Sequence, residues 1–117
     1  MIYQAKNNGL ITREGNGKEK RKFIDINDAI DLTISVISKQ NKSYKFFDIV
    51  GKKTYTIDSI INKILKYFPN SDVKYTKINN FHHYLNSPFN KKNFQIKKLS
   101  PKEDTIENSL KLIINSL

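Results

Sequence analysis

Thr56-Ile57-Asp58-Ser59-Ile60-Ile61-Asn62-Lys63-Ile64-Leu65-Lys66-Tyr67-Phe68-Pro69-Asn70 is the stretch on which the architecture turns. Its apolar residues Ile57, Ile60, Ile61, Ile64, Leu65 and Phe68 recur at spacings of three and four, the period of one helical face. Thr56 is placed to cap the first turn, and Pro69-Asn70 cannot continue the helix. The spacing therefore predicts a helix from Ile57 to Phe68. A stripe this regular must be buried against other elements, which makes Ile60, Ile61 and Ile64 candidate core residues.

Reading outward, Tyr44 to Val50 is rich in aromatic and branched residues and stops at Gly51, as a buried strand does. On the other side Val73 and Tyr75, continuing toward Ile78, alternate with polar residues like a half-buried strand. Asn79 to Ser87 then reads as an irregular loop, with a short helix after Ser87-Pro88. Further upstream, Ile26, Ala29, Ile30, Ile34 and Ile37 share a helical face that Leu32 and Val36 widen, so a helix from Asn27 to Ser38 needs partners on more than one side. The aromatic set Phe46, Phe47, Tyr55, Tyr67, Phe68 and Tyr75 reads as core.

Met1 to Asn8 reads as the last turns of a helix ended by Gly9, and Leu10 to Arg13 as a short extended segment. Gly15-Asn16-Gly17 is a turn, Lys18 to Lys22 a polar loop, and Phe23 to Ile26 a brief strand with Phe23 and Ile26 facing the core. Near the end, Ser100-Pro101-Lys102-Glu103 and Asp104-Thr105-Ile106-Glu107 both fit a capping box before a helix with the stripe Ile106, Leu110, Ile113, Ile114 and Leu117. The expected fold is a mixed α/β unit. Two or three short strands are flanked by helices centred on residues 28–38, 57–68 and 105–116, around a core including Phe47, Ile49, Ile60, Ile61, Ile64 and Leu110.

The 117 residues are enough for one modest core and no second independent domain. There is no cysteine, hence no disulfide and no thiolate chemistry, and His82-His83 alone do not make a zinc site. No apolar run nears the roughly 20 residues that span a bilayer, and no signal peptide opens the sequence, so the expected location is the cytoplasm. The net charge of +10 raises a polyanion as a partner. Its carriers are almost all scattered lysines, however, and Arg13 and Arg21 are the only arginines available for bidentate base reading. A basic nucleic-acid-binding module is thus an alternative of lower rank, as is a stand-alone protein-interaction module.

The segment Gly15-Asn16-Gly17-Lys18-Glu19-Lys20-Arg21-Lys22-Phe23-Ile24-Asp25-Ile26-Asn27-Asp28-Ala29 joins a glycine turn, an arginine and an aspartate in the first turn of a helix. Glycines admit a ligand to the backbone, arginine forks onto phosphate oxygens, and a carboxylate is favoured at a helix N-terminus. At this spacing the segment resembles Gly-Asp-Gly-x-Gln-x-Arg-Asp-Phe-Ile-x-Val-x-Asp of the extended short-chain dehydrogenase/reductases that modify nucleotide sugars. The likeness extends to Ala5-Lys6-Asn7-Asn8-Gly9-Leu10-Ile11-Thr12, to Lys45 through Gly51 with Tyr55-Thr56-Ile57, and to Pro101 with Thr105 through Leu110.

The resemblance implies that residues 1–117 form the C-terminal, substrate-binding portion of an NAD-dependent nucleotide-sugar epimerase or dehydratase. A Rossmann domain on the N-terminal side would then be the partner. It assigns Arg21 to the substrate diphosphate, with Gly15, Asn16, Gly17 and Arg13 as neighbours along the nucleotide. The competing reading is that Arg21 pairs with a surface acid, while Asp28 reads as a structural helix-start residue. NAD(P) would belong to the complete enzyme and not to this chain, which has neither Gly-x-x-Gly-x-x-Gly nor Tyr-x-x-x-Lys. Alone it is expected to be catalytically inactive and to bind a nucleotide sugar weakly or not at all. The sequence departs from the family pattern at Glu19 and Lys22, and it has no arginine after Arg21; Lys77, Lys91 or Lys92 would supply charge without the forked geometry. Finally, the broad apolar face around Ile30, Ile34 and Ile37 leads to the expectation that isolated copies dimerise.

Overall fold

A computed structural model of the chain describes residues 1–38, 46–77 and 96–117. It is a mixed α/β structure built around one helix. In chain order the elements are α1 (Ile2–Asn8), β1 (Leu10–Glu14), β2 (Lys20–Arg21), α2 (Ile26–Ser38), β3 (Phe46–Ile49), β4 (Tyr55–Thr56), α3 (Ile57–Leu65), β5 (Asp72–Thr76), β6 (Ile96–Leu99) and α4 (Ile106–Ser116).

The helix α3 is the centre of the fold, as its periodicity requires. Ile57, Ile60, Ile61 and Ile64 are buried, and Ala5 of α1, Ile11 of β1 and Ile106 of α4 complete the core. Thr56 caps it, its hydroxyl oxygen accepting from the Ser59 N–H at 3.1 Å. The helix stops at Leu65, three residues before the expected end, because the Tyr67 and Phe68 amides both turn back to the Ile64 carbonyl. Phe68 still packs against the core from the turn that follows.

The strands pair in twos. β1 and β5 are parallel, with Ile11 opposite Val73 and Arg13 opposite Tyr75. Gly9 starts this pair: at φ 61° it ends α1 in the left-handed conformation, and its carbonyl accepts from the Asp72 amide at 2.8 Å. β2 and β4 form a two-residue antiparallel bridge, Lys20 opposite Thr56 and Arg21 opposite Tyr55. β3 and β6 are parallel, with Phe46 opposite Ile96 and Ile49 opposite Leu99. Three two-stranded sheets thus replace the expected two or three strands. β6 is an addition to them, since Ile96-Lys97-Lys98-Leu99 lacks the alternation that marks a strand.

Other expectations are corrected by local hydrogen bonding. The brief strand at Phe23 to Ile26 does not form, because Asp25 is committed to starting α2: its carboxylate accepts from the Asn27 amide at 2.8 Å and its carbonyl from Ala29 at 3.0 Å. Ile26 consequently lies on the outer face of α2 and is 68% exposed, not in the core. Phe23 does pack against the core. Phe47 and Ile49 lie on β3 beside α2 and are half-buried outside the core cluster, whereas Leu110 packs on it. Of the aromatic residues expected in the core, Phe46, Tyr67 and Tyr75 are exposed.

Neither capping box forms at α4. Its N-cap is Thr105, whose hydroxyl donates to Asp28 at 2.5 Å, while Asp104 accepts from the Tyr55 hydroxyl and pairs with Lys53 at 3.5 Å. Asp28 is therefore a structural residue that ties α2 to α4, as is Asp25, which accepts from Ser109 Oγ at 2.6 Å. The loop and short helix expected over 79–88, with Ile78, His82, His83, Lys91 and Lys92, lie outside the described residues.

Candidate functional site

The glycine turn is held against the first turn of α3. Gly15 and Gly17 have φ 105° and 77°, a region that residues with a Cβ avoid. A Cβ on Gly15 would collide with the Glu19 carboxylate, and one on Gly17 with the Asp58 carboxylate. The freedom of these glycines therefore admits side chains of the chain itself. Asn16 sits at the exposed tip, its amide donating to Glu19 Oε1 at 3.2 Å and its side-chain oxygen accepting from the Lys18 amide at 3.0 Å. The Gly17 and Glu19 carbonyls accept from the Asp58 and Ile57 amides at 2.9 and 3.0 Å. These bonds satisfy the first donors of α3, so its N-terminus is closed by backbone and is not an open anion cradle.

Past the turn, Arg21 lies on β2, which pairs with β4, and the two arginines line one cavity of about 420 Å³ with Thr12, Glu14, Glu19 and Ile57. Sequence separates Arg13 from Arg21 by the whole glycine turn; the parallel β1–β5 pair and the β2–β4 bridge bring both to the mouth of the same hollow. Arg21 is exposed and spends one donor on the Lys20 carbonyl at 2.9 Å. Among the described residues it forms no ion pair, which is the alternative the sequence left open. Arg13 accepts at its carbonyl from Thr76 Oγ1 at 3.4 Å, and it lines the hollow together with its strand neighbours Thr12 and Glu14.

Of the residues singled out from sequence, Arg13 and Arg21 are thus brought together, while Gly15, Asn16 and Gly17 shape the loop that carries them. Sequence reasoning misses Glu14 and Thr12, and Glu19 enters it only as a departure from the family pattern. The signal for all three is period two along β1 and proximity to the turn, both of which need the pairing to be known.

No known protein family, curated protein or solved structure matches this chain.

The surroundings of the cavity are electrostatically set. Beside it, Tyr75 donates its hydroxyl to Asp58. Burial first, then that hydrogen bond and the charges of Asp58 and Glu19, push the phenol up to about 12, against a smaller opposing effect of Arg13. The residues that line the hollow include two arginines and two glutamates, so both signs of charge meet there. Among the described residues no cluster of three or more histidine, aspartate or glutamate side chains suits a metal ion. No helix of the described residues is long and apolar enough to cross a membrane. The glycine turn itself is filled by Glu19 and Asp58, and the adjacent helix N-terminus is closed by backbone.

Proposed function

We propose that this chain is the nucleotide-sugar recognition part of an NAD-dependent epimerase or dehydratase, with Arg21 and Arg13 as the groups that hold the substrate diphosphate. The observation that carries the reading is the meeting of the only two arginines of the chain at one cavity. The resemblance singles out Arg21 and finds no later arginine; Arg13, on β1 and earlier in sequence, supplies a second fork. Two forks suit a diphosphate, whose adjacent phosphoryl groups each take a bidentate contact.

The mixed lining separates this reading from nucleic-acid binding. Glu14 and Glu19 repel the phosphates of either ligand, so the hollow suits one short diphosphate offset by two arginines and accompanied by sugar hydroxyl groups better than a long phosphate backbone. Chemistry on the sugar would belong to the Rossmann half, which supplies NAD and the proton-transfer residues; the part assigned to this chain is binding and orientation.

The test is titration of the chain with inorganic pyrophosphate and with a uridine diphosphate sugar, followed through the arginine Nε–Hε resonances. Binding in the millimolar range that perturbs both Arg13 and Arg21 is expected, and Arg21→Ala should abolish the shift at Arg13. Unperturbed resonances at both arginines once the chain is joined to its Rossmann half would overturn the assignment. Joined to its Rossmann half, the Arg21→Ala protein should bind the diphosphate more weakly by about 1.5–3 kcal/mol, the scale of hydrogen bonds to charged groups.

A further inference from the structure

The helix α2 has no buried residue. Ile26, Ile30, Ile34 and Ile37 follow one another along it at 68, 48, 57 and 72% exposure, forming an apolar ridge. At its Ile26 end the ridge runs into an apolar groove of about 770 Å³, whose floor is made by Ile60, Ile64 and Ile106 and whose outer wall is Leu112 and Ile113 of α4. The chain therefore carries a convex and a concave apolar element side by side.

We propose that this face is an interface between two copies of the chain, the α2 ridge of each lying in the groove of the other about a two-fold axis. Three properties select a second copy as the occupant. The first is area: the four isoleucines with Leu112, Ile113, Leu117 and Tyr3 expose about 850 Å², above the few hundred of a typical monomer patch and equal to one side of a standard interface.

The second is charge. Residues 23–38 contain Asp25, Asp28 and Asp31 and no lysine or arginine, in a chain of net charge +10. Lysine is depleted from interface cores, and neither this helix nor the groove lining carries a lysine or arginine. The third is polar satisfaction. Thr33 and Ser38 share the face of the isoleucines, and their hydroxyls donate to the Ala29 and Ile34 carbonyls at 2.8 and 2.5 Å. Burying these two hydroxyls leaves neither as an orphaned donor.

The inference stands apart from the nucleotide reading, because no residue lines both the groove and the arginine cavity. Sedimentation across a wide concentration range tests it, with far-UV circular dichroism verifying that each exposed-site variant is folded. The wild-type chain should weigh twice its 13.7 kDa and dissociate on dilution. Ile34→Lys and Leu112→Glu should each raise the dissociation constant by about 100-fold or more, since two-fold symmetry places each change in the interface twice. Mixing the two variants should restore a dimer. In the mixed pair one ridge–groove contact is wild type, and the other brings the introduced ammonium of the ridge against the introduced carboxylate of the groove. A wild-type chain that stays monomeric, as it would if an upstream domain or another partner were the proper occupant, overturns the proposal. So does a dimer that survives either variant, or a mixture that does not recover. Pyrophosphate shifts at Arg13 and Arg21 should be the same in monomer and dimer, so either proposal can fail without the other.

Discussion

Gly17→Ala isolates what the glycine turn does. The native φ of 77° costs a residue with a Cβ about 1–2 kcal/mol. The new methyl group also overlaps the Asp58 carboxylate, which must swing away and release the Tyr75 hydroxyl. That hydrogen bond to a charged group is partly solvent-exposed, so its loss adds about 1 kcal/mol rather than the full value for a buried one. The expected loss is about 2–3 kcal/mol, or roughly 10 °C in melting temperature for a chain of this size. Gly9→Ala is the control: its φ of 61° is also left-handed, but no heavy atom lies within 4 Å of the added Cβ, so about 1 kcal/mol is expected. Urea unfolding of both variants, and of Gly17→Ala combined with Tyr75→Phe, provides the comparison. The double variant should lose less than the sum of its parts, because both changes break the same bond. Equal losses for Gly9→Ala and Gly17→Ala, or strict additivity with Tyr75→Phe, would refute the claim that Gly17 exists to seat Asp58 against the turn.

Two further outcomes follow from the core and from the phenols. Ile61→Ala, at a side chain 2% exposed on the central helix, should cost about 2–5 kcal/mol, while Asn62→Ala on the exposed face of the same helix should change stability by no more than about 0.5 kcal/mol; comparable effects would show that α3 is not the centre of packing. Tyr55, held up to about 12 by its hydrogen bond to Asp104 and then by burial, and Tyr75 both keep their protons longer folded than unfolded. Their contribution is therefore complete below pH 10 and lost between pH 10 and about 12, as the unfolded chain ionises first. Phenolate absorbance should show Tyr55 and Tyr75 ionising late, with one late phenol lost in Tyr75→Phe, and thermal stability should fall across that window; ionisation of both near pH 10 would contradict the two hydrogen bonds.

The helices of the described residues, the buried face of α3 and the mixed α/β class were legible in the residues alone, because each rests on local information. The three-and-four spacing of Ile57, Ile60, Ile61 and Ile64 requires a buried helix whatever surrounds it, Thr56 caps it through a bond three residues long, and Gly9 ends α1 by its own φ. Strand pairing was not legible in the same way. β6 has no alternation of its own and exists only because β3 lies beside it, and Lys20–Arg21 is a strand only because β4 returns to meet it. Asp25 shows why local pattern fails at Phe23 to Ile26: an alternating tetrapeptide is compatible with a strand until a helix start and Ser109 of a distant helix claim the aspartate. The same division holds for the site. Arg21 could be named from its neighbours in the chain. That Arg13 and Glu14 share its cavity, that the glycines seat Asp58 and Glu19, and that the α2 ridge adjoins an apolar groove are settled by the folded arrangement, because each joins residues whose separation in sequence carries no periodic signal.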